Sequence, residues 1–363
     1  MNSVWQPFFS VVVCAFNEEK LLRACLEGLT SQTYPHDQYE VLVIDDESTD
    51  RTFEIASEII ATLGHEAPRV SLIRIQHGGL SVARNSGVQM SEGDVIAFID
   101  GDAVPDSTWL EELSKPFMVG GDYVGGRIDL LNTGSWVARF MQRTRNRQFF
   151  GPHIANDQFV GCNMAFRKEV FDLVGGFHEN FISRGDESTL YERIRDRFQY
   201  VGAPNAVVLH ERPNTIIKSV RVEWKSATLS HLVAKAHGKQ LHWKSVLLFI
   251  EQCLITVFPA LIGLVLFSPA FFVLPLIVAT SAVFRRFYLR PLNRAIALGL
   301  IADYGFLRGT IGHIAFCFTN NMIGFIGRLV SPLLHWNDNI IQPLTTEITI
   351  LQLVTNKSKR ISA

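Results

Sequence analysis

Four short apolar runs constrain the first half of this chain more than anything else in it. Residues 8–15, 40–44, 70–75 and 94–99 have the length of buried strands, and each is followed by a polar cluster. Amphipathic stretches lie between them. Over 18–32, Leu21, Leu22, Cys25, Leu26 and Leu29 share one helical face. Ser48 or Thr49 can cap a second helix, whose apolar face is Phe53, Ala56, Ile59 and Ile60. Gly78-Gly79 opens a third, running to Met90. Strands alternating with helices predict an α/β class and a mostly parallel sheet covered on both faces. Right-handed crossovers put the carboxyl ends of these strands on one edge. Phe16-Asn17-Glu18, Asp45-Asp46, Gly78-Gly79 and Asp100-Gly101-Asp102 should therefore gather along a single crevice, where open sheets bind ligands.

The pair Asp100 and Asp102 carries the most chemistry. Two carboxylates two residues apart can hold a hard divalent cation, and such a cation usually also takes phosphate oxygens. Other classes fit less well. No G-x-G-x-x-G follows the first strand, where Cys14-Ala15-Phe16-Asn17 stands, so a nicotinamide-binding oxidoreductase is excluded. A formal net charge of −1 gives no global basic field to recruit nucleic acid. The five cysteines are scattered without a C-x-x-C, which argues against a zinc ribbon or a disulfide framework and for a reducing compartment. No signal peptide is expected, because the apolar start lacks a basic flank and a small-residue cleavage site.

Read in order, the clusters resemble a known family. Val11-Val12-Val13-Cys14-Ala15-Phe16-Asn17-Glu18-Glu19, Val43-Ile44-Asp45-Asp46-Glu47-Ser48-Thr49-Asp50, Ala83-Arg84-Asn85-Ser86-Gly87 and Phe98-Ile99-Asp100-Gly101-Asp102 are similar to the donor half of family 2 glycosyltransferases. Gly161-Cys162-Asn163-Met164-Ala165-Phe166-Arg167, Val174-Gly175-Gly176-Phe177, Gly185-Asp186-Glu187 and Ala203 to His210 fit the acceptor half. The resemblance covers roughly residues 8–213. It implies the GT-A fold, a Rossmann-like, mixed but mostly parallel sheet, and inverting transfer from a nucleotide-diphosphate sugar.

The resemblance also implies roles. Cys14, Ala15, Phe16, Asn17 and Glu18 would line the nucleotide pocket, with Phe16 against the base and Asp46, or Asp45, at its imide edge. Capping and turn bonding are the other reading of that aspartate pair. Arg84 would approach base or diphosphate, and Arg193 the diphosphate. Asp100 would sit near ribose and metal, and Asp102 would be the main ligand of Mn2+ or Mg2+. His210 falls where some GT-A enzymes place a further metal ligand; a partly buried histidine ending a strand is the alternative. The family pattern is usually Gly-Glu-Asp with the aspartate as base. Here the order is Gly185-Asp186-Glu187, so the base is Glu187 by position, or Asp186 if the backbone shifts. Arg139, Arg143, Arg145 and Arg147 form a basic cluster that could meet anionic headgroups or be an exposed helix face.

The second half is far more apolar. Residues 1–215 read as the catalytic domain, 216–244 as amphipathic linker or interface helices, 245–334 as a membrane region and 335–363 as a tail. The run 245–267 is interrupted only by Glu251 and Gln252, and a bilayer core takes about 20 helical residues. With 268–285 it predicts a transmembrane hairpin. Arg285, Arg286, Arg290 and Arg294 then favour the cytoplasmic side. Residues 295–318, broken by Asp303, Arg308 and His313, read as a re-entrant segment or a third helix. The expectation is a multi-pass protein of the cell membrane with its catalytic domain in the cytoplasm. Its partners would be a nucleotide-sugar donor, a lipid-linked or glycan acceptor and the membrane, with no nucleic acid. Absence of the Gln-x-x-Arg-Trp signature of processive synthases after residue 187 favours transfer of a single sugar. The alternative is a non-catalytic membrane scaffold with a degenerate transferase domain.

Overall fold

The computed structural model describes residues 6–145, 160–179, 185–228 and 350–355. The chain separates into two compact units. One comprises Met1–Gly134, Gly151–Arg212 and Ile341–Ala363, the other Ser135–Phe150 and Pro213–Ile340.

The first unit holds a sheet with the expected alternation. Strand β1 (Phe9–Ala15), helix α1 (Leu22–Thr30), β2 (Tyr39–Asp45), α2 (Thr52–Thr62), β3 (Arg69–Ile75), α3 (Leu80–Met90) and β4 (Val95–Asp100) follow one another. The order β4-β1-β2-β3 is parallel throughout. Beyond β4 the sheet turns mixed. Strands β5 (Ala103–Pro105), β6 (Tyr123–Leu130), β7 (Met164–Arg167) and β8 (Ala203–His210) extend it in the order β5-β8-β6-β7-β4. Strand β7 is antiparallel to both β4 and β6, β8 parallel to β6, and β5 antiparallel to β8. On the opposite edge the C-terminal strand, residues 350–355, pairs antiparallel with β3.

The strands are apolar on both sides because both sides are covered. Val11, Val13, Val41, Val43, Val95 and Ala97 pack with α1, with α2, and with Trp109, Leu113 and Phe117 of α4 (Trp109–Met118). Their neighbours Val12, Leu42, Ile44, Ile96 and Phe98 pack with α3 and with Val170, Phe171, Leu190 and Ile194. The last four come from α6 (Lys168–Val174) and α7 (Asp186–Ile194). The period of two along each strand sorts side chains to opposite faces. Each buried valine, leucine, isoleucine or phenylalanine among them contributes about 1.5–3 kcal/mol.

Helix starts differ from the sequence reading in an instructive way. The first helix begins at Leu22, and residue 17 is left-handed (φ 58°). The amides of Glu18 and Glu19 donate to Thr52 Oγ1 (2.7 Å) and Asp50 Oδ2 (3.2 Å). Neither Ser48 nor Thr49 caps α2: Ser48 Oγ accepts from the Asn17 amide at 3.0 Å, and Thr49 N donates to Asn17 Oδ1 at 2.9 Å. Asp50 Oδ1 takes the Thr52 amide instead, at 3.0 Å. The two loops thus tie each other down across the sheet edge.

Of the second unit, α5 (Trp136–Arg145) and α8 (Ile216–Thr228) are described. Helix α5 carries Arg139, Arg143 and Arg145; Arg147 lies outside the described residues. Ser135 Oγ donates to the Asn214 carbonyl at 3.2 Å, and Trp136, Ile216 and Ile217 are exposed. No described helix is long and apolar enough to cross a membrane. The expected spans at 245–267, 268–285 and 295–318, with Glu251, Asp303, Arg308 and His313, lie outside the described residues.

Candidate functional site

Strand register builds the crevice. Ala15 of β1 pairs with Asp45 of β2, and Cys14 with Asp100 of β4, so the three strands end level. The buried Cys14 and Ala15 present backbone there: the Cys14 carbonyl accepts from Gly101 N (3.0 Å) and the Ala15 carbonyl from Asp46 N (2.9 Å). Phe16, next in sequence, is 43% exposed and stacks on His77, with ring centroids 4.5 Å apart and planes at 26°.

The Asp45–Asp46 pair is turned inward. Asp45 accepts from Ser48 N at 3.2 Å and pairs with Arg74 Nε at 3.2 Å. Burial still raises its pKa, against the pull of Ser48 and Arg74. Asp46 takes the amides of Gly78 (2.8 Å) and Gly79 (2.9 Å) at the start of α3, and its Oδ2 lies 2.9 Å from His77 Nδ1. A carboxylate there complements the helix dipole. It also fixes His77, which the sequence reading did not single out; its place between β3 and Gly78-Gly79 was the available signal.

Arg84 occupies the centre. Its side chain is 1% exposed; Nη1 lies 2.5 Å from Asp186 Oδ2 and Nη2 3.3 Å from Asp100 Oδ1. The guanidinium carbon sits 5.5 Å from the Phe177 ring centroid. A Cβ on Gly161 would overlap Nη2, so only glycine admits the arginine there. Burial opposes charge on Arg84, but Asp186 and Asp100 outweigh it and raise its pKa. Burial would raise Asp186, but the Arg84 charge together with hydrogen bonds from Glu187 and Arg84 outweighs it and holds the carboxylate below its ordinary range.

Glu187 behaves in the opposite way. Both acids open α7, behind a left-handed Gly185 (φ 96°). Burial, then the charge of Asp186 and a hydrogen bond shared with it, push Glu187 up to about 8. Asp186 Oδ1 is buried without a hydrogen-bond partner, and the two carboxyl groups share a side-chain hydrogen bond. Two neighbouring carboxyls are thus driven apart in acidity, an arrangement that marks acid–base sites.

Beside them lies an acidic cluster. Asp102 Oδ1 is 3.4 Å from His210 Nε2, the two side chains being 31% and 18% exposed. Burial raises Asp102, His210 opposes this, and Asp100 adds to it. Glu18 is pushed up to about 8 by burial, then by Asp102, Asp100 and Asp50. The ligand atoms of Asp100, Cys162 and His210 lie within 4.8 Å of one another. Carboxylates that repel one another around an imidazole fit a hard divalent cation, which relieves the repulsion and accepts oxygen and nitrogen ligands.

Arg193 stands apart from the diphosphate contact expected of it. Its Nε, Nη1 and Nη2 donate to the carbonyls of Thr189 (3.4 Å), Val174 (2.8 Å) and Gly176 (2.6 Å). Burial lowers its pKa. Here the arginine holds the Val174–Phe177 turn, and Asn85 clamps the same turn through the Phe177 amide (2.7 Å) and carbonyl (2.9 Å).

Comparison with known proteins places the chain among glycosyltransferases. The model described as glycosyl transferase family 2 matches residues 10–175, and one described as the N-terminal domain of galactosyltransferase matches 142–211. Glycosyltransferase AglE of Haloferax volcanii is 36% identical over 183 residues, 50% of this chain and 59% of that protein. The chain thus spans little more than half the length of that relative. A dolichyl N-acetyl-alpha-D-glucosaminyl phosphate 3-beta-D-2,3-diacetamido-2,3-dideoxy-beta-D-glucuronosyltransferase of Methanococcus voltae is 24% identical over 243 residues, 63% of this chain and 73% of that protein. The mannosyltransferase PcManGT of Pyrobaculum calidifontis, solved with GDP-Man and Mn2+, superposes with a TM-score of 0.55 at 18% identity, covering 90% of this chain and 88% of that one. The mixed α/β sheet is that of the GT-A fold. EpsJ of Bacillus subtilis, described as an uncharacterized glycosyltransferase, is 31% identical over 252 residues, 64% of this chain and 69% of that protein. On the match over residues 10–175 and the likeness to EpsJ, the chain belongs to glycosyltransferase family 2.

Proposed function

We propose that the protein is a metal-dependent, inverting glycosyltransferase. It would move a single sugar from a nucleoside-diphosphate donor to a lipid-linked or glycan acceptor at the cytoplasmic face of a membrane. The observation that carries this reading is the convergence of Asp102 and His210, Arg84-linked Asp100, and Glu187 on one edge of the sheet. The donor's base would lie against Phe16, backed by His77. Asp100, Asp102 and His210 would hold Mn2+ or Mg2+, which when bound would neutralise charge developing on the diphosphate leaving group. Glu187 would take the proton of the acceptor hydroxyl as that oxygen attacks the anomeric carbon from the face opposite the leaving group. A carboxyl with a pKa near working pH suits that task. Ionised Asp186, held by Arg84, would keep Glu187 oriented.

The lipid-linked acceptor draws on the dolichyl phosphate named for the Methanococcus voltae relative and on the apolar run 245–267. The test is donor binding by the full chain in detergent. Thermal shifts would be recorded with UDP, GDP, CDP and dTDP, each with Mn2+, Mg2+ or EDTA. A shift with one nucleotide that vanishes in EDTA, and in Asp102→Ala, is expected. No shift with any of them in folded protein would overturn the reading in favour of a scaffold.

A further inference from the structure

Sugar transfer as described gives no task to the thiol at the cation site. Cys162 is 3% exposed, and its sulfur lies within 4.8 Å of ligand atoms of both Asp100 and His210. We propose that Cys162 is a latent ligand of this site, so that Asp100, Asp102, Cys162 and His210 together capture softer divalent metals such as Zn2+ and Co2+.

The backbone around Cys162 is held on both sides. Gly161 packs on Arg84. Asn163 Nδ2 donates to the carbonyls of Arg127 and Ala206, each at 2.9 Å, and its Oδ1 accepts from Trp109 Nε1 at 2.9 Å. The thiol therefore sits at a fixed place facing the acidic edge. The imidazole is aimed as well: His210 Nδ1 meets the Glu211 carbonyl at 2.5 Å, which leaves Nε2 for a metal. A backbone carbonyl on the far ring nitrogen is the usual support of a metal-binding histidine. Zinc bonds of about 2.0–2.3 Å in tetrahedral array put neighbouring ligand atoms roughly 3.3–3.8 Å apart. The ligand atoms of Asp100, Cys162 and His210, all within 4.8 Å of one another, reach that with a contraction of about 1 Å, and Asp102 Oδ1 already lies 3.4 Å from His210 Nε2.

Ligand softness separates the two modes. Mg2+ and Mn2+ take the carboxylates and leave the thiol aside; Zn2+ and Co2+ favour sulfur. Soft-metal binding would form a metal–sulfur bond and release the thiol proton to solvent, with no change of oxidation state. A Zn2+ ion so held would exclude the cation used in transfer and inhibit the enzyme reversibly.

This inference rests on the reading of Asp100, Asp102 and His210 as the cation site, and the test separates the two. Full-length protein in detergent, stripped with chelator, is titrated with Co2+ and its near-ultraviolet absorption recorded; Mn2+ binding is followed by electron paramagnetic resonance. A sulfur-to-cobalt charge-transfer band is expected in the wild type and in Cys25→Ser, and is expected to vanish in Cys162→Ser. Zn2+ affinity should fall at least about 10-fold in Cys162→Ser, far more than Mn2+ affinity. Zinc-edge X-ray absorption of the wild type needs no variant and should show a sulfur neighbour. Co2+ binding without the band, a band that survives Cys162→Ser, or zinc without a sulfur neighbour overturns the inference and leaves the cation site standing. Failure to bind any of the three metals overturns both.

Discussion

Arg84 Nη1 lies 2.5 Å from Asp186 Oδ2, and both side chains are buried, joining residues 102 apart in sequence. The pair links the donor half of the site to the helix that carries Glu187. Breaking a buried ion pair strands the remaining charge, which costs about 3–5 kcal/mol. Arg84→Met should therefore lower the unfolding midpoint sharply. Arg84→Lys should recover only part of that loss, since one ammonium cannot serve Asp186 and Asp100 with a planar fork. Thermal melts of the three proteins check this; equal midpoints would refute the central role given to Arg84.

Gly161 faces the same arginine. Adding one methyl there pushes on Nη2 of a buried guanidinium that is held by Asp186 and Asp100. Gly161→Ala should destabilise the protein by about 1–3 kcal/mol. Nucleotide affinity should fall as well, because displacing Arg84 moves Asp100. Denaturant unfolding and calorimetric titration with the donor nucleotide measure the two effects.

Glu187 gives a signature in rate. Glu187→Gln should reduce kcat by about 100- to 10,000-fold while changing donor affinity little. In the wild type kcat should rise with pH as the base ionises, and the residual rate of the variant should lack that limb. Retained kcat would assign the base to Asp186 or to another group.

The same residue gives a signature in stability. The folded state holds Glu187 and Glu18 protonated up to about 8, whereas an unfolded glutamate releases its proton near 4.5. The folded state thus binds the extra protons. Their stabilising effect is complete below the unfolded pKa and disappears as pH rises through the folded one. In EDTA the unfolding midpoint should fall between about pH 5 and pH 8. Glu187→Gln should flatten that slope, and Glu18→Gln should do so independently. A slope unchanged by both substitutions would contradict the burial described for them.

Phe16 and His77 form the stacked surface on which the proposed function puts the donor's base. Phe16→Ala should weaken nucleoside-diphosphate binding by about 1–3 kcal/mol, the range of aromatic–base stacking. His77→Ala should weaken it less, because it removes the support and leaves the exposed ring. Calorimetric titration reads both; an unchanged affinity in Phe16→Ala would remove the base from this surface.

Much of this was legible in the chain alone. Apolar runs of strand length separated by amphipathic helices marked out the parallel core, and polar clusters after the strands marked the edge on which they gather. Both follow from local periodicity and from the handedness of crossovers, which need no partner to be known. The assignment of partners was not legible. Arg84 and Arg193 are both arginines near family motifs, yet one bridges two carboxylates and the other is bound to three carbonyls. Asp46 is bound to the start of α3, His77 stacks on Phe16, and the Cys162 thiol meets Asp100 and His210, contacts that neither the Gly78-Gly79 turn nor the Gly161-Cys162-Asn163 motif specifies. Those outcomes depend on register between distant strands and on which buried charge lies within reach, and only the tertiary structure decides them.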